Sequence, residues 1–256
     1  MKDGRSLGKG HVMILHSIIE GKGDPVVFLH AGLETGEQDF VGQREALKST
    51  MCVIALDLRG HGKSMSDDLR NYFEACAGDI KDTLDHLHLK QVHLAGASMG
   101  ALAAVVFVKK FPEYAATLTV SGIMADKPED WSDIHKEEAA FQRQLRHDED
   151  VTQYFTERHG PDWGKLLDLA QDESWYPFSY TKDLDGVSAP VLCIAGEENE
   201  LETAAVMKYK SIHKPVHGAV LPFASHLVHR QKPEEYNTFL KQFLESYPIG
   251  SFQKVQ

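Results

Sequence analysis

The pentapeptide Gly96-Ala97-Ser98-Met99-Gly100 constrains this chain more than any other feature, because of what lies on either side of it. Gln91-Val92-His93-Leu94-Ala95 precedes it and reads as a short buried strand. Ala101 to Val108 follows it as an apolar run with helical character that ends near Pro112. A serine between a strand and a helix, with glycine two residues away on each side, sits on a sharp and strained turn. Such a turn lifts the hydroxyl clear of the strand ends, and the glycines keep Cβ atoms away from neighbouring strands. The helix beginning beneath it offers unpaired N–H groups and a positive dipole end to any negative charge developing there. At ordinary Gly and Ser usage the bare pattern arises by chance in roughly one chain in ten of this length. Its weight therefore comes from its strand-and-helix context and from three further motifs.

The hydrophobic pattern places those motifs. His11 to Ile19 reads as an early strand, with Gly21-Lys22-Gly23-Asp24-Pro25 as its turn. Val26 to His30 and Val53 to Leu58 are continuous apolar runs rather than alternating ones, which suits parallel strands covered on both faces. Residues 38–48 and 70–88 are predicted helices, the second carrying Tyr72, Phe73, Cys76, Ile80, Leu84 and Leu87 near helical spacing. Leu118 to Val120 and Val191 to Ala195 add two strands. Pro233 opens a final helix whose apolar stripe is Tyr236, Phe239, Leu240, Phe243 and Leu244. Alternating strands and helices predict an α/β fold with a doubly wound, mostly parallel sheet. Residues 123–185 break the pattern: they are charged, show no strong strand, and hold Trp131, Trp163 and Trp175.

Composition excludes several classes. The chain has 256 residues, enough for one domain with a full-sized core, and a formal net charge of −11 with no basic patch. An acidic chain of this kind is not expected to bind nucleic acid or an anionic membrane. No apolar segment follows Met1-Lys2-Asp3-Gly4-Arg5 and no run approaches a membrane span, so neither a signal peptide nor a transmembrane helix is expected. Cys52, Cys76 and Cys193 are odd in number and far apart, as expected of small core residues in a reducing cytoplasm. His86 and His88 flank Leu87 on a predicted helix and do not face one way, so no metal site is expected from them. There is no P-loop, no G-x-G-x-x-G after a strand and no H-E-x-x-H, so no cofactor is implied.

Three motifs join the pentapeptide. Pro25-Val26-Val27-Phe28-Leu29-His30-Ala31-Gly32 is an apolar strand ending in a small-residue turn. Asp57-Leu58-Arg59-Gly60-His61-Gly62-Lys63-Ser64 is a glycine-rich turn after the second strand, and His226 follows the strand-like Ala219-Val220-Leu221. In this order, and over nearly the whole chain, the set resembles the α/β-hydrolase superfamily. The S-M-G elbow and the D-x-R-G-H-G-x-S turn look like its branch of small bacterial esterases, cofactor-free haloperoxidases and enol-lactonases. The resemblance implies a hydrolase core over residues 1–122 and 186–256 and a helical cap over residues 123–185. Most of the aromatic residues there are expected to pin the cap; Trp131, Phe141 and Trp163 are the candidates for lining a substrate pocket.

The resemblance also distributes roles. Ser98 is the expected nucleophile and needs a base, because a free serine hydroxyl attacks poorly at neutral pH. Among 14 histidines His226 is chosen by position, after the last strand and upstream of Pro233-Glu234-Glu235; His93 and His229 are expected to be structural. The oxyanion hole is expected from the backbone N–H groups of Met99 and Gly32. At the acid position, three residues after Gly196, this sequence has Asn199 where the family carries aspartate. Three readings stay open. Glu198 or Glu200 replaces it by a shift of one residue; the amide serves a slower or different reaction; or the protein is a weakened enzyme, a receptor for a small molecule. The expected activity is hydrolysis of a small ester, lactone or thioester through an acyl-Ser98 intermediate, with a small-molecule substrate as partner and neither nucleic acid nor membrane. A lyase or perhydrolase on the same scaffold is the remaining alternative.

Overall fold

The computed structural model describes residues 13–250. Seven strands form one sheet in the order β1-β3-β2-β4-β5-β6-β7. They are β1 (Ser17–Gly21), β2 (Pro25–Leu29), β3 (Cys52–Leu56), β4 (Val92–Ala97), β5 (Ala115–Ser121), β6 (Val191–Gly196) and β7 (Val216–Leu221). β1 runs antiparallel to β3, and every other pairing is parallel. The helices are α1 (Val41–Leu47), α2 (Tyr72–His86), α3 (Met99–Lys110), α4 (Trp131–Leu145), α5 (Glu149–His159), α6 (Gly164–Leu169), α7 (Phe178–Thr181), α8 (Glu200–Ile212), α9 (Val228–Gln231) and α10 (Pro233–Ser246). The first strand lies later than its pattern suggested. Residues 13–16 are outside it, and His11 and Val12 lie outside the described residues.

The apolar strands follow from burial on both faces. Along β2, Val27 and Leu29 pack with α2 and α3 on one side, while Val26 and Phe28 pack with α1 and α10 on the other. Alternate residues reach opposite faces, so no position along the strand is free to be polar. α3 is buried on every side from Met99 to Val108, the pattern of a helix enclosed by its own protein. α10 buries Tyr236, Leu240, Phe243 and Leu244, each worth about 1.5–3 kcal/mol of burial. Phe239, counted in the same stripe from the sequence, is exposed instead.

The strand order reverses beside β2. α1, which leaves β2, crosses one face, and α3, which leaves β4, crosses the other. Leu29 of β2 pairs with Gly96 of β4, so the turns after both strands open side by side at one end of the sheet. A crevice at such a switch point is where open α/β sheets bind ligands. Between β5 and β6 the chain leaves the sheet and forms α4 to α7, with no strand from residue 123 to 185. Polar contacts inside the insert join its start to its end. Trp131 Nε1 donates to Glu173 O at 3.0 Å, Thr181 Oγ1 to Ala125 O at 3.2 Å, and Tyr176 OH bridges Met124 N and O.

Candidate active site

Ser98 stands between β4 and α3 with φ 52° and ψ −120°, a backbone conformation that side-chain-bearing residues avoid. Its own N–H donates to Ser121 O at 2.9 Å and its carbonyl accepts Leu102 N–H at 3.0 Å, which holds the strained turn. The glycines permit the close packing. A Cβ on Gly100 would collide with the Leu29 and His30 carbonyl oxygens, and one on Gly96 with the Gly100 carbonyl. The sequence pattern thus has a steric cause: the first helical turn of α3 rests directly on the end of β2.

Three side chains from three strand ends then meet. Ser98 Oγ lies 2.9 Å from His226 Nε2, and His226 Nδ1 lies 2.6 Å from Glu202 Oε1. The Nδ1–H donates to the carboxylate, which leaves the Nε2 lone pair facing the serine hydroxyl. His226 is half exposed toward the crevice, while the Glu202 side chain is 4% exposed. Desolvation acts to lower the His226 pKa, but the hydrogen bond and charge of Glu202, with the charge of Glu138, outweigh it and hold the pKa above its ordinary value.

Glu202 corrects the sequence assignment. The expected acid was Asn199, with Glu198 or Glu200 as substitutes. Glu198 and Glu200 are exposed and make no contact with His226. Asn199 is instead the N-cap of α8. Its Oδ1 accepts the Glu202 N–H at 3.2 Å, and its Nδ2 donates to Glu202 Oε1 at 2.7 Å. The amide therefore holds the Glu202 carboxylate in place and does not itself meet His226. The chain opens α8 at the turn after β6, so the carboxylate arrives one helical turn later than the family spacing implies. A signal for it exists in the sequence: the buried residues of α8 are Glu202, Ala205, Val206 and Tyr209, at i, i+3, i+4 and i+7. A glutamate on the buried stripe of a helix calls for a partner.

His229, three residues beyond His226, makes a separate buried pair. Its Nε2 lies 2.7 Å from Asp39 Oδ1, and both side chains are inaccessible to solvent. The other oxygen of Asp39 accepts the Ala31 N–H at 2.9 Å. Burial pushes the Asp39 pKa up, but its contacts with His229 and Ala31 prevail and hold it at about 2. On the turn after β2, Ala31 N is thus committed to Asp39, and Leu33 N donates to His61 Nε2 at 3.3 Å. Among the described residues no acceptor is found for the Gly32 N–H between them. A Cβ on Gly32 would lie 3.5 Å from Met99 Cε, so the two backbone segments adjoin beside Ser98.

Two cavities of about 260 Å³ each meet at Ser98. The acid-side lobe is lined by Trp131, Met124, Ile134, Tyr176 and His226. The lobe beside Gly32, the expected oxyanion side, is lined by Gly32, Met99, Phe141, Leu145 and Leu166. Of the expected pocket residues, Trp131 and Phe141 line these lobes. Trp163 does not; it is buried against Phe155, with ring centroids 5.1 Å apart, where it helps close the insert upon itself. Trp175, which the sequence did not single out for the site, lines both lobes together with Glu138. Among the described residues no cluster of His, Cys, Asp and Glu has a metal-binding arrangement. Cys76 and Cys193 are buried thiols whose pKa desolvation raises to about 12, which removes them as nucleophiles at neutral pH.

Comparison with known proteins identifies the fold. A family model described as the alpha/beta hydrolase fold matches residues 24–171. The chain belongs to the α/β-hydrolase family. Human serine hydrolase BPHL is 28% identical over 246 residues, covering 90% of this chain and 83% of its own length. Among solved structures, NosK from Streptomyces actuosus superposes with a TM-score of 0.78 at 24% identity, over 88% of this chain and 99% of its own. A marine microorganism esterase superposes with a TM-score of 0.71 at 20% identity, over 91% and 100%. At those identities the two structures speak to the fold of this α/β-hydrolase alone. No described helix is long and apolar enough to cross a membrane.

Proposed function

We propose that this α/β-hydrolase is a serine hydrolase that cleaves a small carboxylic ester, lactone or thioester. The observation that carries the reading is the unbroken line from Ser98 Oγ through His226 to Glu202, at 2.9 and 2.6 Å. His226 Nε2 takes the hydroxyl proton as Ser98 Oγ attacks the carbonyl carbon, and Glu202 balances the imidazolium that forms. The carbonyl oxygen becomes an oxyanion held by the N–H groups of Met99 and Gly32, each worth about 3 kcal/mol in the transition state. His226 then gives its proton to the departing alcohol or thiol, leaving acyl-Ser98. Water, deprotonated by the same nitrogen, releases the acid and restores the serine.

The substrate would lie across Ser98 with one portion in each lobe, and the insert would act as the cap that selects its size. A receptor without turnover had rested on an uncharged amide at the acid position; a carboxylate on His226 takes that support away. The three unpaired cysteines favour a reducing, cytoplasmic setting. A fluorophosphonate should attach to the peptide containing Ser98, and p-nitrophenyl esters of increasing acyl length should be turned over with a preference for short chains. Ser98→Ala should lower hydrolysis by at least about 10⁴-fold without lowering Tm. An adduct on another residue, or an active alanine variant, would overturn the mechanism.

A further inference from the structure

Three imidazoles outside the line through Ser98 converge on the turn after β2. His30 Nε2 accepts the Leu58 N–H at 2.9 Å, so its Nδ1–H donates to Ala31 O at 2.8 Å. His61 Nε2 accepts the Leu33 N–H at 3.3 Å, and its Nδ1–H faces Arg59 O at 3.1 Å. His159 Nδ1 accepts the Gly62 N–H at 3.0 Å, so its Nε2–H donates to Leu33 O at 2.9 Å. Ring centroids are 4.9 Å apart for His30 and His61 and 5.3 Å for His61 and His159. All three side chains are buried. Burial lowers the pKa of each, that of His159 to about 4. Each ring is therefore neutral, with one nitrogen accepting a backbone N–H and the other donating to a carbonyl.

These bonds act on the peptide units that present Gly32. The Ala31 carbonyl shares its peptide plane with the Gly32 N–H and points the opposite way. The bonds it accepts from His30 Nδ1 and from Glu34 N thus orient and polarise that N–H. Next in the chain, Leu33 is held at φ 59°, a left-handed conformation unusual for a branched apolar residue. Both of its backbone polar groups are held by imidazoles, the N–H by His61 and the carbonyl by His159. His30 and His61 come from the sheet side. His159 is the last residue of α5, inside the insert and 126 residues away from Leu33.

We infer that His159 is a positioning residue for the oxyanion donor at Gly32, so that the segment shaping the substrate lobes also sets the oxyanion hole. The inference rests on the assignment of Ser98 as nucleophile. If the end of α5 moves away, Leu33 loses the acceptor side of its clamp and the turn relaxes from its left-handed conformation. The Gly32 N–H then turns from the site while Ser98, His226 and Glu202 remain in line. Docking of the insert and competence for acyl transfer are one event.

The test compares wild type, His159→Ala and His159→Gln, using p-nitrophenyl acetate and a fluorophosphonate. The glutamine amide reaches the place of Nε2 and still donates to Leu33 O; alanine does not. In His159→Ala we expect Ser98 to be labelled to completion. The labelling rate constant and kcat per labelled site should both fall about tenfold or more, with KM within about threefold, against the ~10²–10³ that removal of a whole oxyanion donor costs. His159→Gln should recover most of that loss. A purely structural role would lower Tm and the number of labelled sites while leaving kcat per site at the wild-type level. That outcome, or equal kcat per site in the alanine and glutamine variants, overturns the inference. If His159→Ala does not fold, His159→Asn replaces it, since its shorter amide reaches the Gly62 side only, and the same gap from His159→Gln is expected. Wild-type labelling at a residue other than Ser98 would instead remove the assignment on which the inference rests.

Discussion

The turns on either side of Ser98 are built in contrasting ways. The acid side is local: Asn199 caps α8, Glu202 sits in its first turn, and two hydrogen bonds spanning three residues fix the carboxylate. The oxyanion side draws on near and distant parts of the chain: His30 and Asp39 from beside the turn, and His61 and His159 from 28 and 126 residues away, all bond to residues 31–33, and His229 anchors Asp39 across 190 residues. The difference teaches where chemistry and stability separate. An acid whose supports lie within one helical turn can be changed for its isosteric amide with little consequence for packing. A turn held by buried polar groups cannot be changed without disturbing the core around it.

The sharpest break should come at the acid. Glu202→Gln keeps an oxygen near His226 and a partner for Asn199, yet loses the charge and the preferred tautomer, so kcat should fall about 10³- to 10⁴-fold with little change in Tm. The acidic limb of kcat/KM should move as well. In wild type the rate should rise with pH as His226 loses its proton, through a pKa that Glu202, outweighing desolvation, holds above the ordinary 6.5. Without that carboxylate the limb should shift to lower pH. A variant with an unmoved limb would show that Glu202 is not the partner that matters.

On the oxyanion side the larger effect should be on stability. Asp39→Asn leaves a buried histidine without its carboxylate and should lower unfolding free energy by about 3 kcal/mol in urea titration. The pH dependence has a definite sign. The Asp39 pKa is held down to about 2 in the folded protein against an ordinary 3.8, so its contribution is present above about pH 4 and is lost as pH falls toward 2. The asparagine variant should lack that acid-labile component. Equal acid sensitivity in both proteins would mean that the pair contributes nothing.

Smaller changes test how far the acid side is self-contained. Asn199→Asp places a second carboxylate where an amide donates to Glu202 Oε1 at 2.7 Å, so kcat should fall about tenfold by like-charge repulsion. A rise in kcat would mean that the new aspartate takes over His226. Smallest should be Phe141→Ala in the oxyanion-side lobe. The residue is 61% exposed, so truncation should change stability by under about 1 kcal/mol while shifting relative kcat/KM across acyl lengths two- to threefold.

The same contrast explains what could be read from the sequence. The sheet was legible because strands buried on both faces must be continuously apolar, and the serine turn because only glycine fits at 96 and 100. His226 was legible by its place after β7. Glu202 was missed by following a family spacing, although the i, i+3, i+4, i+7 stripe of α8 carries it in plain view. His159 left no local trace: nothing around it says that its two ring nitrogens reach Gly62 and Leu33. Trp163 failed as a pocket residue for a related reason. An aromatic side chain in a charged helical stretch has the same pattern whether it faces a ligand or packs on Phe155.

Because Glu202 rides on a helix, its aim is angular. Each residue of an α-helix turns the side-chain direction by about 100° and advances it about 1.5 Å. A one-residue insertion or deletion between Asn199 and Glu202 would swing the carboxylate off the His226 ring and rotate a neighbour such as Leu201 or Thr203 into its place. An acid carried on a flexible loop could absorb such an edit by bending. Here the segment from 199 to 202 should tolerate substitutions at its outward positions, yet almost no change in length, and deep insertion–deletion scanning should show that narrow gap in tolerance directly against the permissive surface at the other end of α8.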